Sequence, residues 1–116
     1  DTSFATSGVG QYQLASSSDT KVTDAEIDTT GNIILSGMSD SKGMIARILA
    51  NGTIDTLFGE NTLGYYQANQ CDGTHQFTSM LLQTDTQVVL SSTCFDNASN
   101  NVSLSKFNFY PDGVKP

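Results

Sequence analysis

The chain states one pattern twice. Asp1, Thr2, Phe4, Gly10, Tyr12 and Gln13 recur at constant spacing as Asp55, Thr56, Phe58, Gly64, Tyr66 and Gln67. Such a repeat narrows the fold, because each copy must build the same local unit, and 116 residues hold one modest core or a few units that lean on neighbours. With one inserted residue, "EIDTTGNIILSG" lies over "LLQTDTQVVLSS", matching Ile33, Ile34 and Leu35 with Val88, Val89 and Leu90. Both copies close on a turn pair, Asn51-Gly52 and Asp112-Gly113. The units are 1–54 and 55–116, the second more divergent, cysteine-containing and longer near Phe95 to Asn101.

Periodicity makes each unit β-structure. "VGQYQL" alternates, "KVTDAEID" carries Val22, Ala25 and Ile27 roughly along one face, and "NIILSG" is a short apolar run between turn residues. Thr30-Gly31-Asn32, Asn51-Gly52 and Asp112-Gly113 are hairpin turn signals, so the strands are expected antiparallel. The expected fold is all-β: two four-stranded antiparallel blades of the propeller type, a unit that must stack on neighbours to cover its faces. Two blades cannot close a ring, so other copies or other repeats are expected to complete it.

"DTSF", "DTTGNIILSG", "ARILANGTIDTLFG" and "YPDG" also resemble the delta-sixty repeat family of bacterial β-propeller-like proteins, over essentially the whole chain. The resemblance implies a propeller-type fold and a place in bacterial, often cell-surface proteins, and it implies no particular activity. Against the family pattern, Ala5 replaces the first opening Gly, Ser92 a hairpin Gly and Asn108 the outer-strand Arg.

Twelve acidic against five basic residues give a net charge of -7, which repels phosphate backbones and anionic lipid, so nucleic acid is not an expected partner. No apolar run approaches the ~20 residues of a membrane helix, and membrane insertion is not expected. The N-terminus lacks a basic, apolar signal segment, so a secreted chain would already have lost its signal.

Cys71 and Cys94 both fall in the second unit, where the first has Ser17 and Ser39. The antiparallel strands bring the two positions together, so they are read as a disulfide and an extracellular setting, with two cytosolic thiols as the alternative. His75, the single histidine, is expected in a surface loop; no nucleophile motif accompanies it. Two sulfurs and one histidine do not make a tetrahedral metal set, so neither a metal nor a cofactor is assigned. Asp24, Glu26 and Asp28 share a strand face that is either solvated or holds a cation, the solvated face being preferred. "FDNASNN" reads as an Asn-rich loop, and Asn51, Asn97 and Asn101 begin N-glycosylation sequons. Tyr12 and Tyr66, at matching places, read as packing residues.

No catalytic constellation emerges, so the chain is read as a non-enzymatic, extracellular structural protein whose two-blade chains join head to tail in a filament or closed ring. The alternatives are a carbohydrate- or protein-binding propeller module, with surface glycans as partners, or a fragment of a larger cell-surface repeat protein. Asp1 opens one period and Pro116 aligns with Asp55, so two whole periods are expected. Copies are expected to meet through 1–10 of one and 104–116 of the next, with Asp1, Thr2, Phe4, Asp55, Phe58, Phe109 and Tyr110 as assembly residues. Phe4 and Phe58 are expected to anchor each blade on its neighbour.

Overall fold

The structure is a computed structural model that describes residues 1–14, 19–59, 63–96, 98–110 and 113–115. Asp112, Asn97, Ser17 and Pro116, on which parts of the sequence reading rest, lie outside the described residues. Eight strands follow one another: β1 (Thr20–Ile27), β2 (Ile33–Ser39), β3 (Lys42–Ile48), β4 (Tyr65–Gln67), β5 (Thr74–Thr84), β6 (Gln87–Asp96), β7 (Ser99–Tyr110) and β8 (Gly113–Lys115). Among the described residues there is no helix, and none therefore long and apolar enough to cross a membrane. The strands form two four-stranded antiparallel sheets, ordered β1-β2-β3-β4 and β5-β6-β7-β8.

Local chemistry sets the turns. Between β1 and β2 the Asp28 carboxylate accepts the backbone N–H groups of Thr30 and Asn32, each at 2.9 Å, and Gly31 takes φ +90°. Asp40 and Ser41, both at positive φ, close the β2–β3 hairpin, the twist that suits a two-residue link. After β3 the chain turns through Asn51-Gly52, whose Asn51 side-chain oxygen accepts the Thr53 N–H at 3.0 Å.

The fourth strand of the first sheet then comes from residues 65–67, beyond the point at which the sequence pattern restarts. It pairs with β3 through Met44↔Gln67, Ile45↔Tyr66 and Ala46↔Tyr65. Its counterpart in the first opening, within the alternating "VGQYQL", is not a strand: Gly10–Leu14 carries no strand pairing among the described residues. Alternation alone does not make a strand when no partner edge lies alongside. "FDNASNN" differs from expectation too, since Phe95 and Asp96 end β6 and Ser99–Asn101 begin β7 in one long hairpin.

The first sheet packs against the second on one face and is covered in part on the other, where Val22 and Ile27 stay exposed. Ile34 and Ile45 join Phe77, Val88, Leu90, Phe107 and Phe109 of the second sheet in the main core. On the opposite face, Met44 and Ala46 pack with Leu14, Tyr12 and Tyr65. Gly43 permits a close approach of the sheets: a Cβ there would stand 2.8 Å from the Phe77 ring. Among the described residues the second sheet is covered on its inner face alone, and Leu81, Val102 and Leu104 on the other face are 60%, 80% and 77% exposed. Cys71 and Cys94 form a disulfide, with Cα atoms 5.9 Å apart, which ties the lead-in of β5 to β6.

Candidate functional site

With both sheets in place, the junction between them is the most elaborated polar site among the described residues. β1 and β5 are the adjoining edges of the two sheets, and side chains rather than ladder bonds join them. Asp24 Oδ2 accepts the Met80 N–H at 2.8 Å and Glu26 Oε2 accepts the Leu82 N–H at 2.7 Å. Thr23 Oγ1 donates to the Phe77 carbonyl at 2.6 Å, and the Thr29 N–H donates to Asp85 Oδ1 at 3.0 Å. Hydrogen bonds to a charged acceptor are worth about 1.5–3 kcal/mol each. The solvated acidic face expected from the sequence is therefore corrected: Asp24 and Glu26 are half-buried latches. Asp28 instead holds its own turn. Burial alone would raise its pKa, but the bonds from Thr30 and Asn32 hold it below the ordinary value of 3.8.

The second opening completes the junction. Arg47 Nε donates to Asp55 Oδ2 at 2.6 Å, the Arg47 guanidinium lies 4.8 Å from the Phe58 ring centroid, and Phe58 meets Phe109 edge-on at 5.0 Å. Phe58 is 2% exposed, in the core that Ile34 and Ile45 share with Phe107 and Phe109. Tyr66 packs edge-on against Phe107 at 5.6 Å. Gly64 adopts φ +82° beneath Ile54, where a Cβ would stand 2.5 Å from the Ile54 side chain.

The first opening repeats this geometry without the partner sheet. Asp1 Oδ1 accepts the Ser3 N–H at 2.9 Å as Asp55 Oδ1 accepts that of Leu57 at 3.0 Å, and the Phe4 and Phe58 N–H groups close matching turns. Tyr12 packs on the first sheet and donates its hydroxyl to the Gly52 carbonyl at 2.5 Å. Yet Asp1 and Thr2 are exposed and Phe4 is half-buried. Of the remaining assembly residues, Asp55, Phe58 and Phe109 lie inside the internal junction, whereas Tyr110 is half-exposed with the Lys115 ammonium 5.4 Å from its ring.

Strand register then shows which residues of the second sheet stand where the junction stands in the first. Ile34 is opposite Arg47 and Ser36 opposite Ile45; their counterparts Val89 and Ser91 are opposite Lys106 and Leu104. Lys106, not Asn108, thus takes the place of Arg47. Aligning through the turns misses this because β7 carries two more residues before its turn: Phe107 precedes Asp112 by five positions, Ile48 precedes Asn51 by three. A shallow depression on the outer face of the second sheet is lined by Ser79, Met80, Leu81, Val89, Ser91 and Leu104. These are, one for one, the counterparts of Asp24, Ala25, Glu26, Ile34, Ser36 and Ile45.

His75 is corrected as well. It is 2% exposed in β5, edge-on to Phe77 at 5.0 Å, and its Nδ1 has no hydrogen-bond partner among the described residues. Burial lowers its pKa below 6.5. Its buried place on the edge strand β5, opposite Cys94 of β6, gave no signal in a lone histidine among polar neighbours. Asn101 lies exposed on β7. Compared with known protein families, with curated proteins and with solved structures, the chain matches none.

Proposed function

We propose that the chain is a non-enzymatic structural protein of the extracellular space, built from propeller-type blades that associate head to tail. The observation that carries this reading is the outer face of the second sheet. It repeats, position by position, the face on which the first sheet receives the second, and it leaves Leu81 and Leu104 60% and 77% exposed. The surface that would fill it is also in the molecule. Val22 and Ile27, counterparts of the docked Phe77 and Leu82, are 51% and 70% exposed on the far face of the first sheet. One end of the molecule therefore carries the shape that the other end lacks, which is the condition for a heterologous contact that closes into a ring or runs on as a filament. The disulfide fits an oxidising environment.

Sedimentation and native mass measurements on the purified chain at micromolar to millimolar concentration test the proposal. Concentration-dependent association in steps of one chain is expected. A monomer across that whole range defeats it.

A further inference from the structure

The deepest match between the two ends concerns a strand. Inside the chain, Tyr65–Gln67 adds to the outer edge of β3, and the bonds from the Ala68 N–H to the Gly43 carbonyl and from the Arg47 N–H to the Gly64 carbonyl fix its register. The sequence one repeat earlier, Gln11-Tyr12-Gln13, has the same neighbours: a glycine before it, and after it Leu14, which is buried as Ala68 is buried. It is already pressed against its own first sheet through Tyr12 and Leu14. It nevertheless has no strand beside it among the described residues.

The complementary edge is on β7. β8 pairs with Asn108–Tyr110 alone, so the edge of β7 from Ser99 to Phe107 faces outward without a ladder partner among the described residues. By the register that equates Ile45 with Leu104, the stretch of β3 that receives Tyr65–Gln67 corresponds to Ser103–Ser105. A row of unpaired backbone donors and acceptors is a template for strand addition, and main-chain bonds supply the affinity while alternate side chains supply the register.

Resting on the head-to-tail reading above, we infer that Gln11–Gln13 of a second copy adds antiparallel to the β7 edge, with Gln13 opposite Ser103, Tyr12 opposite Leu104 and Gln11 opposite Ser105. The same docking sets the second copy's Asp1 carboxylate against Lys106, as Asp55 is set against Arg47. Strand addition, the apolar face and the ion pair then form one junction. It lacks the two carboxylate latches, because Ser79 and Leu81 stand in the places of Asp24 and Glu26. The contact between copies is accordingly looser than the one within the chain.

The Gln67–Met44 pair lies between hydrogen-bonded pairs, where opposed Cβ atoms come within disulfide reach. Two single variants, Gln13→Cys and Ser103→Cys, are mixed under mild oxidation, and non-reducing mass spectrometry reads the cross-linked heterodimer. A second mixture, Gln13→Cys with Ser105→Cys, is two residues out of register. The expected result is at least tenfold more product from the first mixture. Charge exchange gives an independent readout: Lys106→Glu weakens association roughly tenfold, and mixing it with Asp1→Lys restores it. Association that persists with no 13–103 linkage, or with equal yields at 103 and 105, overturns the strand register and leaves head-to-tail assembly standing. Absence of association in the unaltered chain overturns both.

Discussion

On its inner face the second sheet buries Val88, Leu90, Phe77 and Phe107 to full exclusion of solvent, while on its outer face Val89, Leu81 and Leu104 stay at or near the surface. The same strands carry both sets, alternating along β6 and, across a register shift between Phe77 and Ser79, along β5. What separates them is the neighbour: the first sheet covers one face and no described residue covers the other. Apolar character in these strands therefore specifies a face that wants a partner. The polar residues show which face the chain itself completes, since Asp24 and Glu26 cap β5 within the chain whereas their counterparts Ser79 and Leu81 cap nothing of the kind.

The sharpest break in this comparison is core truncation. Phe107→Ala or Phe77→Ala, at fully buried rings, is expected to cost about 3–5 kcal/mol in urea unfolding of the dilute chain. Leu104→Ala on the outer face is expected to stay within roughly 0.5 kcal/mol. Equal costs would show that the outer face is covered in solution even when dilute. Phe58→Ala belongs with the buried pair, and Phe4→Ala, half-buried, should cost clearly less.

Removing the disulfide comes next. The Cys71→Ser, Cys94→Ser double variant, which opens a link spanning 23 positions, should lose roughly 3 kcal/mol. An unchanged unfolding midpoint in reducing agent would show that the bond does not form in the purified chain.

The latches give a smaller effect. Glu26→Ala leaves the Leu82 N–H without its acceptor and should cost about 1–3 kcal/mol, whereas Leu81→Ala, at the exposed counterpart of Glu26, should be nearly neutral. A neutral Glu26→Ala would mean that water replaces the carboxylate at no cost.

The smallest effect is a dependence on pH. His75 has a folded pKa below its unfolded one, so the folded chain binds fewer protons. Stability is whole above about 6.5 and is lost as pH falls below that value towards the folded pKa. His75→Phe should flatten the stability profile over that window. Asp28, also lowered, keeps its contribution above 3.8 and loses it only in stronger acid. A profile unaltered by His75→Phe would show that the imidazole is hydrated in solution.

Much of the fold was legible because its causes are local. Thr30-Gly31-Asn32 and Asn51-Gly52 announce their turns, the apolar triplets of β2 and β6 announce interior strands, and the paired appearance of Cys71 and Cys94 announces their bond. The candidate site was less legible because its causes lie far along the chain. Nothing in "KVTDAEID" says that its carboxylates will meet backbone N–H groups 56 positions later. Lys106 was hidden by two additional residues near the last turn, and strand pairing, unlike sequence alignment, counts from the middle of the sheet. His75 looked like a loop residue because its immediate neighbours are polar; it is buried by the Phe77 ring and by the close approach of Gly43 from the first sheet.

The origin of β4 has a consequence for how the molecule comes apart. Because Tyr65–Gln67 belongs to the second sequence unit yet finishes the first sheet, the two halves overlap like a lap joint, and neither can be taken away leaving the other whole. Loss of the second half would strip the β3 edge, and loss of the first would release Phe58 and Tyr66 from the wall they line. Cooperativity between the sheets is thus written into the order of the strands. Heating should give one calorimetric transition, with its van't Hoff and calorimetric enthalpies equal, where two tandem units joined end to end would give two. The amides of β3 should exchange with solvent only as fast as those of β6, in a single global opening.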